Sequence, residues 1–142
     1  MECIWCRYGD KAMEDVQEMR RQVLCAEIGF SDRYRLDADD KDALHLLCRQ
    51  DGQAVCTARI VRITEDTWLF GRLCAPVRQR GKGCGAAAVR RSEEKCCRLG
   101  GKKITVKAKL DKEGFYSHMG FSSVGEVYLQ EGIPHIDMEK CL

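Results

Sequence analysis

The stretch Arg80-Gly81-Lys82-Gly83-Cys84-Gly85-Ala86-Ala87-Ala88 gathers the residue types that hold an anion through the main chain. Gly81, Gly83 and Gly85 carry no Cβ, so the backbone turns sharply and its N–H groups can approach a ligand closely. A helix is expected to open there, which places those N–H groups at the positive end of its dipole. Charge agrees with geometry. Between Thr67 and Ser92 there is no Asp or Glu, while Arg72, Arg78, Arg80, Lys82, Arg90 and Arg91 are all cationic. The chemistry this suits is capture of a compact anion such as a diphosphate. A glycine-rich connection without a ligand would leave the coincidence of glycines and acid-free block unexplained.

Three phosphate-binding patterns compete for this turn. The Walker loop requires G-x-x-x-x-G-K-[ST], a string the chain lacks. The dinucleotide fingerprint fits loosely as Gly83-x-Gly85-x-x-Ala88, but it expects an acid about 20 residues on. Lys102, Lys103 and Lys107 stand there instead. The third pattern, Arg-x-x-Gly-x-Gly, is met by Arg80, Gly83 and Gly85.

The elements that must position this turn follow from periodicity. Cys3–Tyr8 reads as a strand. Asp10 is placed to cap a helix over 11–28, in which Met13, Val16, Met19, Val23 and Leu24 recur at helical spacing, with Gly29 as its stop. The acidic run around 31–42 reads as a loop with a helical turn. Strands 43–49 and 53–63 flank Asp51-Gly52, a strong hairpin signal. A strand over 68–75 leads into the glycine turn, followed by a helix over 84–99 closed by Gly100-Gly101. Then come a strand over 103–110, a short helix over 112–119 and closing strands at 124–128 and 135–140. The class is mixed α/β (α+β), with an antiparallel front half and a strand–turn–helix–strand unit behind it.

The 142 residues suit one domain able to bury a core without covalent staples. Apolar residues make up 44% and charged residues 32%, which excludes a disordered chain. No apolar run approaches the ~20 residues of a membrane span, and the N-terminus lacks a basic start followed by a long apolar stretch. The expectation is a soluble, cytoplasmic protein with no membrane partner. A net charge of +2 with one local basic block argues against a nucleic-acid partner. The ten cysteines are therefore expected to stay reduced and to act mainly as small buried hydrophobes. Cys3-x-x-Cys6 has no second pair to complete a tetrahedral site, and the three histidines are scattered, so no metal is expected.

Arg80-Gly81-Lys82-Gly83-Cys84-Gly85, preceded by Arg72-Leu73-Cys74-Ala75 and followed by Gly114-Phe115-Tyr116 and Gly120-Phe121, resembles the GNAT N-acetyltransferase superfamily. The tail Gly125-Glu126-Val127-Tyr128 with Gly132-Ile133-Pro134-His135-Ile136 is similar to its ElaA-like subgroup. So are Arg21-x-Val23 with Glu27, and the Asp-rich run leading to His45-Leu46-Leu47. The similarity runs over nearly the whole chain.

The resemblance implies a GNAT fold, in which a mixed, mostly antiparallel sheet carries a splayed strand pair and flanking helices. It implies acetyl-CoA as cofactor and direct acetyl transfer to an amine, the acceptor being a small molecule or a peptide. The backbone of Leu73, Cys74 and Ala75 would pair with the pantetheine arm and the thioester oxygen. Amides of Gly81, Gly83, Cys84, Gly85 and Ala86 would carry the pyrophosphate, with Arg80 alongside. Tyr116 matches the family's general acid. Glu27, His45 and His135 match subgroup positions able to act as base. Homodimers are common in the family. Lys109 and Asp111 stand where the subgroup has Gln and His, and Pro76 lies one place earlier than the usual proline. A non-catalytic acyl-CoA-binding sensor or subunit is the alternative that the cofactor loop alone would equally support.

Overall fold

A computed structural model describes all of Met1–Leu142. Apolar residues at strand and helix spacing resolve into β1 (Glu2–Cys6), α1 (Met13–Arg20), β2 (Leu44–Gln50), β3 (Gln53–Arg62), β4 (Thr67–Cys74), α2 (Cys84–Arg98), β5 (Lys103–Lys109), α3 (Glu113–His118), β6 (Ser122–Gln130) and β7 (Ile133–Cys141). The strands form one seven-stranded sheet in the order β1-β2-β3-β4-β5-β7-β6. Only β4 and β5 are parallel, because α2 is the crossover between them.

Strand β2 is buried on both faces and reads accordingly as a continuous apolar run. Leu44, Leu46 and Cys48 face the cluster under α2, with Val89, Phe70 and Ile104. Leu47 meets Met13 and Val16 of α1 on the opposite face. Helices thus cover both sides of the sheet, and each strand residue's parity decides which layer it enters.

Local chemistry sets the turns. Asp51 and Gly52 both take positive φ, 52° and 79°, the two-residue turn whose twist matches the strands it joins. The helix expected over 11–28 is present in two parts. Beyond Arg20 the backbone widens into a π-helical stretch, Arg21–Glu27, where Ile28 N–H reaches Val23 O five residues back. Asp10 does not cap it: its carboxylate takes the Arg7 N–H at 2.8 Å, and Ala12 is the N-cap. The closing strands are longer than expected, since β6 and β7 pair up to Gln130–Ile133 around Glu131-Gly132.

The expectation that every thiol stays free fails at one pair. Antiparallel pairing of β1 and β2 places Cys3 opposite Cys48 with Cα atoms 4.0 Å apart, and the two are joined as a disulfide. Their 45-residue separation gave no sequence signal of that register. The other eight cysteines are free, and Cys6, Cys56, Cys74, Cys84 and Cys96 are buried among apolar side chains.

The site depends on where the sheet stops being continuous. Strands β4 and β5 pair from Thr67–Lys103 to Phe70–Val106 and then part. Beyond that point β4 stays with β3 through Cys74, and β5 stays with β7 through Lys109–His135. The opening between the two halves is a cavity of about 640 Å³.

Candidate active site

Gly81, Gly83, Cys84, Gly85 and Ala86 line this cavity at the start of α2. Gly83 is the N-cap residue, with φ 84° and ψ 6°, a left-handed conformation that glycine adopts without Cβ strain. Its carbonyl accepts the Ala87 N–H at 3.0 Å. The N–H groups from Gly81 through Ala86 have no acceptor in the protein. Helix geometry explains three of them, because the first turn has no preceding carbonyls to use. The positive-φ turns at Gly81 and Gly83 explain the rest, by keeping the chain clear of any acceptor. Six consecutive donors at the positive end of a fifteen-residue helix are equipped to hold an anion. An added Cβ at Gly85 would meet Phe115 Cζ at 3.4 Å and Leu73 Cδ2 at 3.8 Å, so its glycine keeps the floor of the cradle flat.

Leu73, Cys74 and Ala75 line the β4 side of the same cavity. Just before them β4 carries one residue more than β3: Thr57 pairs with Cys74 but Arg59 with Gly71. The bulge puts Arg72 at φ 53°, a conformation disfavoured by about 1–2 kcal/mol outside glycine. Its side chain shows what holds it there. The guanidinium lies 3.9 Å from the centre of the Tyr34 ring and donates to Asp37 Oδ2 at 2.9 Å.

Arg80 also lines the cavity, with its charge already paired. Its Nη1 and Nη2 donate to Glu27 at 2.6 and 2.7 Å, and its Nε donates to Ala75 O at 3.0 Å. The guanidinium thus ties the loop to the end of the π-helical stretch. Glu27 loses its fitness as a base in the same contact, since the paired Arg80 bonds hold its carboxyl below the usual range. His45 is also removed from that role. It is fully buried away from the cavity lining, with Nδ1 3.1 Å from Arg20 Nη2 and Nε2 3.0 Å from Asp40 O. A guanidinium can only donate, so Nδ1 accepts and Nε2 carries the proton. Burial holds this ring neutral.

His135 remains. It is 3% exposed and lines the cavity. Its Nδ1 is 2.7 Å from Ile133 O, and a carbonyl only accepts, so Nδ1 bears the hydrogen and Nε2 keeps its lone pair. No protein donor is bonded to Nε2. Tyr116, on α3, lines the cavity from the other half of the sheet. Its ring is packed by Phe70, Phe115 and Phe121 at 5.0–6.3 Å between centroids. Burial pushes the phenol up, so the hydroxyl stays protonated well past neutrality.

A buried ionic layer that the sequence did not disclose backs the acceptor side. Asp40 Oδ1 accepts from Arg20 Nη1 at 3.0 Å and from Arg59 Nη1 at 2.9 Å. Asp37 accepts from Arg59 at 2.7 and 3.0 Å as well as from Arg72. Burial alone would raise the Asp37 carboxyl, but the guanidiniums of Arg59 and Arg72 hold it at about 2. The one available signal was the acidic run Asp37–Asp42, whose partners lie up to 35 residues away.

A family model for the acetyltransferase (GNAT) domain matches residues 11–142. ElaA of Escherichia coli is 31% identical over 110 residues, covering 74% of this chain and 72% of ElaA. The crystal structure of ElaA superposes with a TM-score of 0.87 at 24% identity, covering 98% of each chain. An acyl-CoA N-acyltransferase of Pseudomonas aeruginosa superposes with a TM-score of 0.86 at 25% identity, also over 98% of each. An aminoglycoside 6'-N-acetyltransferase solved with coenzyme A shares the fold at 15% identity, with a TM-score of 0.79 over 99% of this chain and 97% of that one.

Proposed function

This chain belongs to the GNAT acetyltransferase family, and we propose that it moves an acetyl group from acetyl-CoA to a primary amine by direct transfer, as one catalytic domain working in the cytoplasm. The observation that carries the reading is the run of six unengaged amides, Gly81 to Ala86, of which all but Lys82 belong to residues lining the gap between the parted strands. None of the three α-helices is long and apolar enough to cross a membrane.

The residues present fit such a cofactor. Amides of Gly81, Gly83, Cys84, Gly85 and Ala86 would hold its diphosphate, with Lys82 adding charge and Arg80 buttressing the loop through Glu27. The backbone of Leu73, Cys74 and Ala75 would hold its extended arm. Acetyl-CoA supplies the acyl group and a thiolate that leaves.

The protein's own groups supply positioning, charge stabilisation and proton handling. A cleft that excludes water strengthens every N–H aimed at developing negative charge and presents two reactants as one. His135 Nε2 takes the proton that the acceptor must lose before it attacks. Tyr116 Oη holds the proton needed on the leaving side. A free phenol near 10 is a weaker acid than a thiol near 8.5. The burial that raises this phenol acts in the same sense on a thiol beside it.

The test is a mass-spectrometric screen of amines incubated with protein and acetyl-CoA, beside calorimetric titration of the cofactor. Acetylated product with saturable binding is expected. Absence of binding at millimolar cofactor would refute the reading, and binding with no product from any amine would favour a non-catalytic acyl-CoA-binding protein.

A further inference from the structure

The ionic layer behind the cavity does not balance. It contains three guanidiniums, Arg20, Arg59 and Arg72, and two carboxylates, Asp37 and Asp40. His45 is neutral by virtue of its two bonds. Arg20 leaves its Nε–H buried without an acceptor but has Asp40, Arg35 O and His45 on its Nη groups, and Arg59 has both carboxylates. The surplus positive charge therefore falls to Arg72. Its one protein bond goes to an Asp37 oxygen already shared with Arg59, its Nε–H is buried without a partner, and Nη1 has none either. A desolvated cation in that state lacks the counter-charge that normally accompanies burial.

Arg72 is also rigidly presented. The β4 bulge fixes its backbone, the Tyr34 ring supports its guanidinium face, and Gln130 fixes the Tyr34 hydroxyl at 2.7 Å. All three line the cavity, together with His135. The two acidic residues of the cavity wall offer little to a polycation: Glu27 is committed to Arg80, and Asp111 stands exposed at the rim among Lys107, Lys109 and Lys112.

Resting on the acetylation reading above, we infer that the acceptor is an amine that also carries a carboxylate or phosphate group. Arg72 receives that anion on Nη1, the nitrogen that Asp37 leaves free, which orients the amine toward His135. Aminoglycosides and polyamines, rich in positive charge and lacking an anion, are poor acceptors.

Two measurements test this separately from turnover and through it. In the first, the Arg72 Nε–H resonance of coenzyme-A-saturated protein, assigned with Arg72→Lys, is followed by NMR during titration with propionate, inorganic phosphate or propylammonium. Saturable shifts with propionate or phosphate, and none with propylammonium, are expected. The two anions distinguish a carboxylate from a phosphate acceptor. In the second, acetylation rates are compared for β-alanine against propylamine, phosphoethanolamine against ethanolamine, and spermidine. The better anionic member should exceed its partner without an anion by about tenfold or more in kcat/KM, the worth of one charge-assisted hydrogen bond. Arg72→Gln should remove that preference by raising the acceptor KM while the acetyl-CoA KM holds. Equal shifts with propylammonium, no saturable shift with either anion, or an undiminished preference in folded Arg72→Gln would overturn the inference. Anion shifts without acetylation of any amine would instead remove the acetyl-transfer reading and leave the anion site standing.

Discussion

Replacing Gly85 by alanine sets two consequences of a single methyl group against each other. Gly85 is the second residue of α2 and its φ is not positive, so alanine adopts this backbone without strain. The new Cβ would sit 3.4 Å from Phe115 Cζ, 3.7 Å from its Cε1 and 3.8 Å from Leu73 Cδ2, which is ordinary contact. Alanine is favoured over glycine in a helix by about 1 kcal/mol. Unfolding entropy of about 2.1 cal/mol/K per residue amounts to roughly 0.3 kcal/mol/K for a chain of this length, so the Tm of the free protein should rise by about 3 °C. Cofactor affinity should move the other way. The methyl lies between Phe115 and Leu73, which both line the cavity, so it narrows the floor on which the diphosphate would rest, and losing one hydrogen bond to a charged acceptor costs about 1.5–3 kcal/mol. The Kd for coenzyme A should therefore rise by roughly 10- to 150-fold. Thermal unfolding followed by circular dichroism and calorimetric titration measure the two quantities on the same preparation. A Kd within about twofold of wild type would refute the assignment of these amides to the diphosphate, whatever the Tm does.

Tyr116→Phe should lower kcat by about 10²-fold or more with the acetyl-CoA KM unchanged, because the ring packing survives and only the proton is lost; unaltered turnover would make Tyr116 a packing residue. The buried phenol also predicts no alkaline fall in kcat from this group up to about pH 10, checked by comparing the pH profiles of wild type and Tyr116→Phe. His135→Gln should cost about 10²–10⁴-fold in kcat while leaving coenzyme A binding intact by calorimetry. Asp40→Asn strips a carboxylate from two buried guanidiniums and should destabilise the fold by about 3–5 kcal/mol in urea titrations. Asp37 titrates at about 2 in the fold against about 3.9 unfolded, so its contribution is complete above about pH 4 and is lost as pH falls toward 2. Urea midpoints at pH 5, 3.5 and 2.5 should fall in that order, and a flat series would contradict the ionic layer.

The chain's own order of residues settled whatever depends on near neighbours. The glycine turn and its row of unengaged amides are written in the alternation of Gly81, Gly83 and Gly85, because backbone freedom and the start of the following helix both act within one turn. Asp51-Gly52 likewise dictates its hairpin through the φ values those two residues tolerate. Tertiary structure alone decided everything that charge and register do across distance. Glu131 takes a left-handed turn position unusual for its type because its carboxylate accepts Ser31 N–H and Oγ–H at 2.6 and 2.7 Å, 100 residues away. Cys3 finds Cys48 through strand register, and Arg80 finds Glu27, 53 residues upstream. The ionic layer from Arg20 to Arg72 assembles from four separate segments, since a buried charge takes whichever counter-ion the packed helices and strands bring within bonding distance. Side-chain pairing of that kind has no period along the chain, so only the folded arrangement reveals which arginine is left with charge to spare.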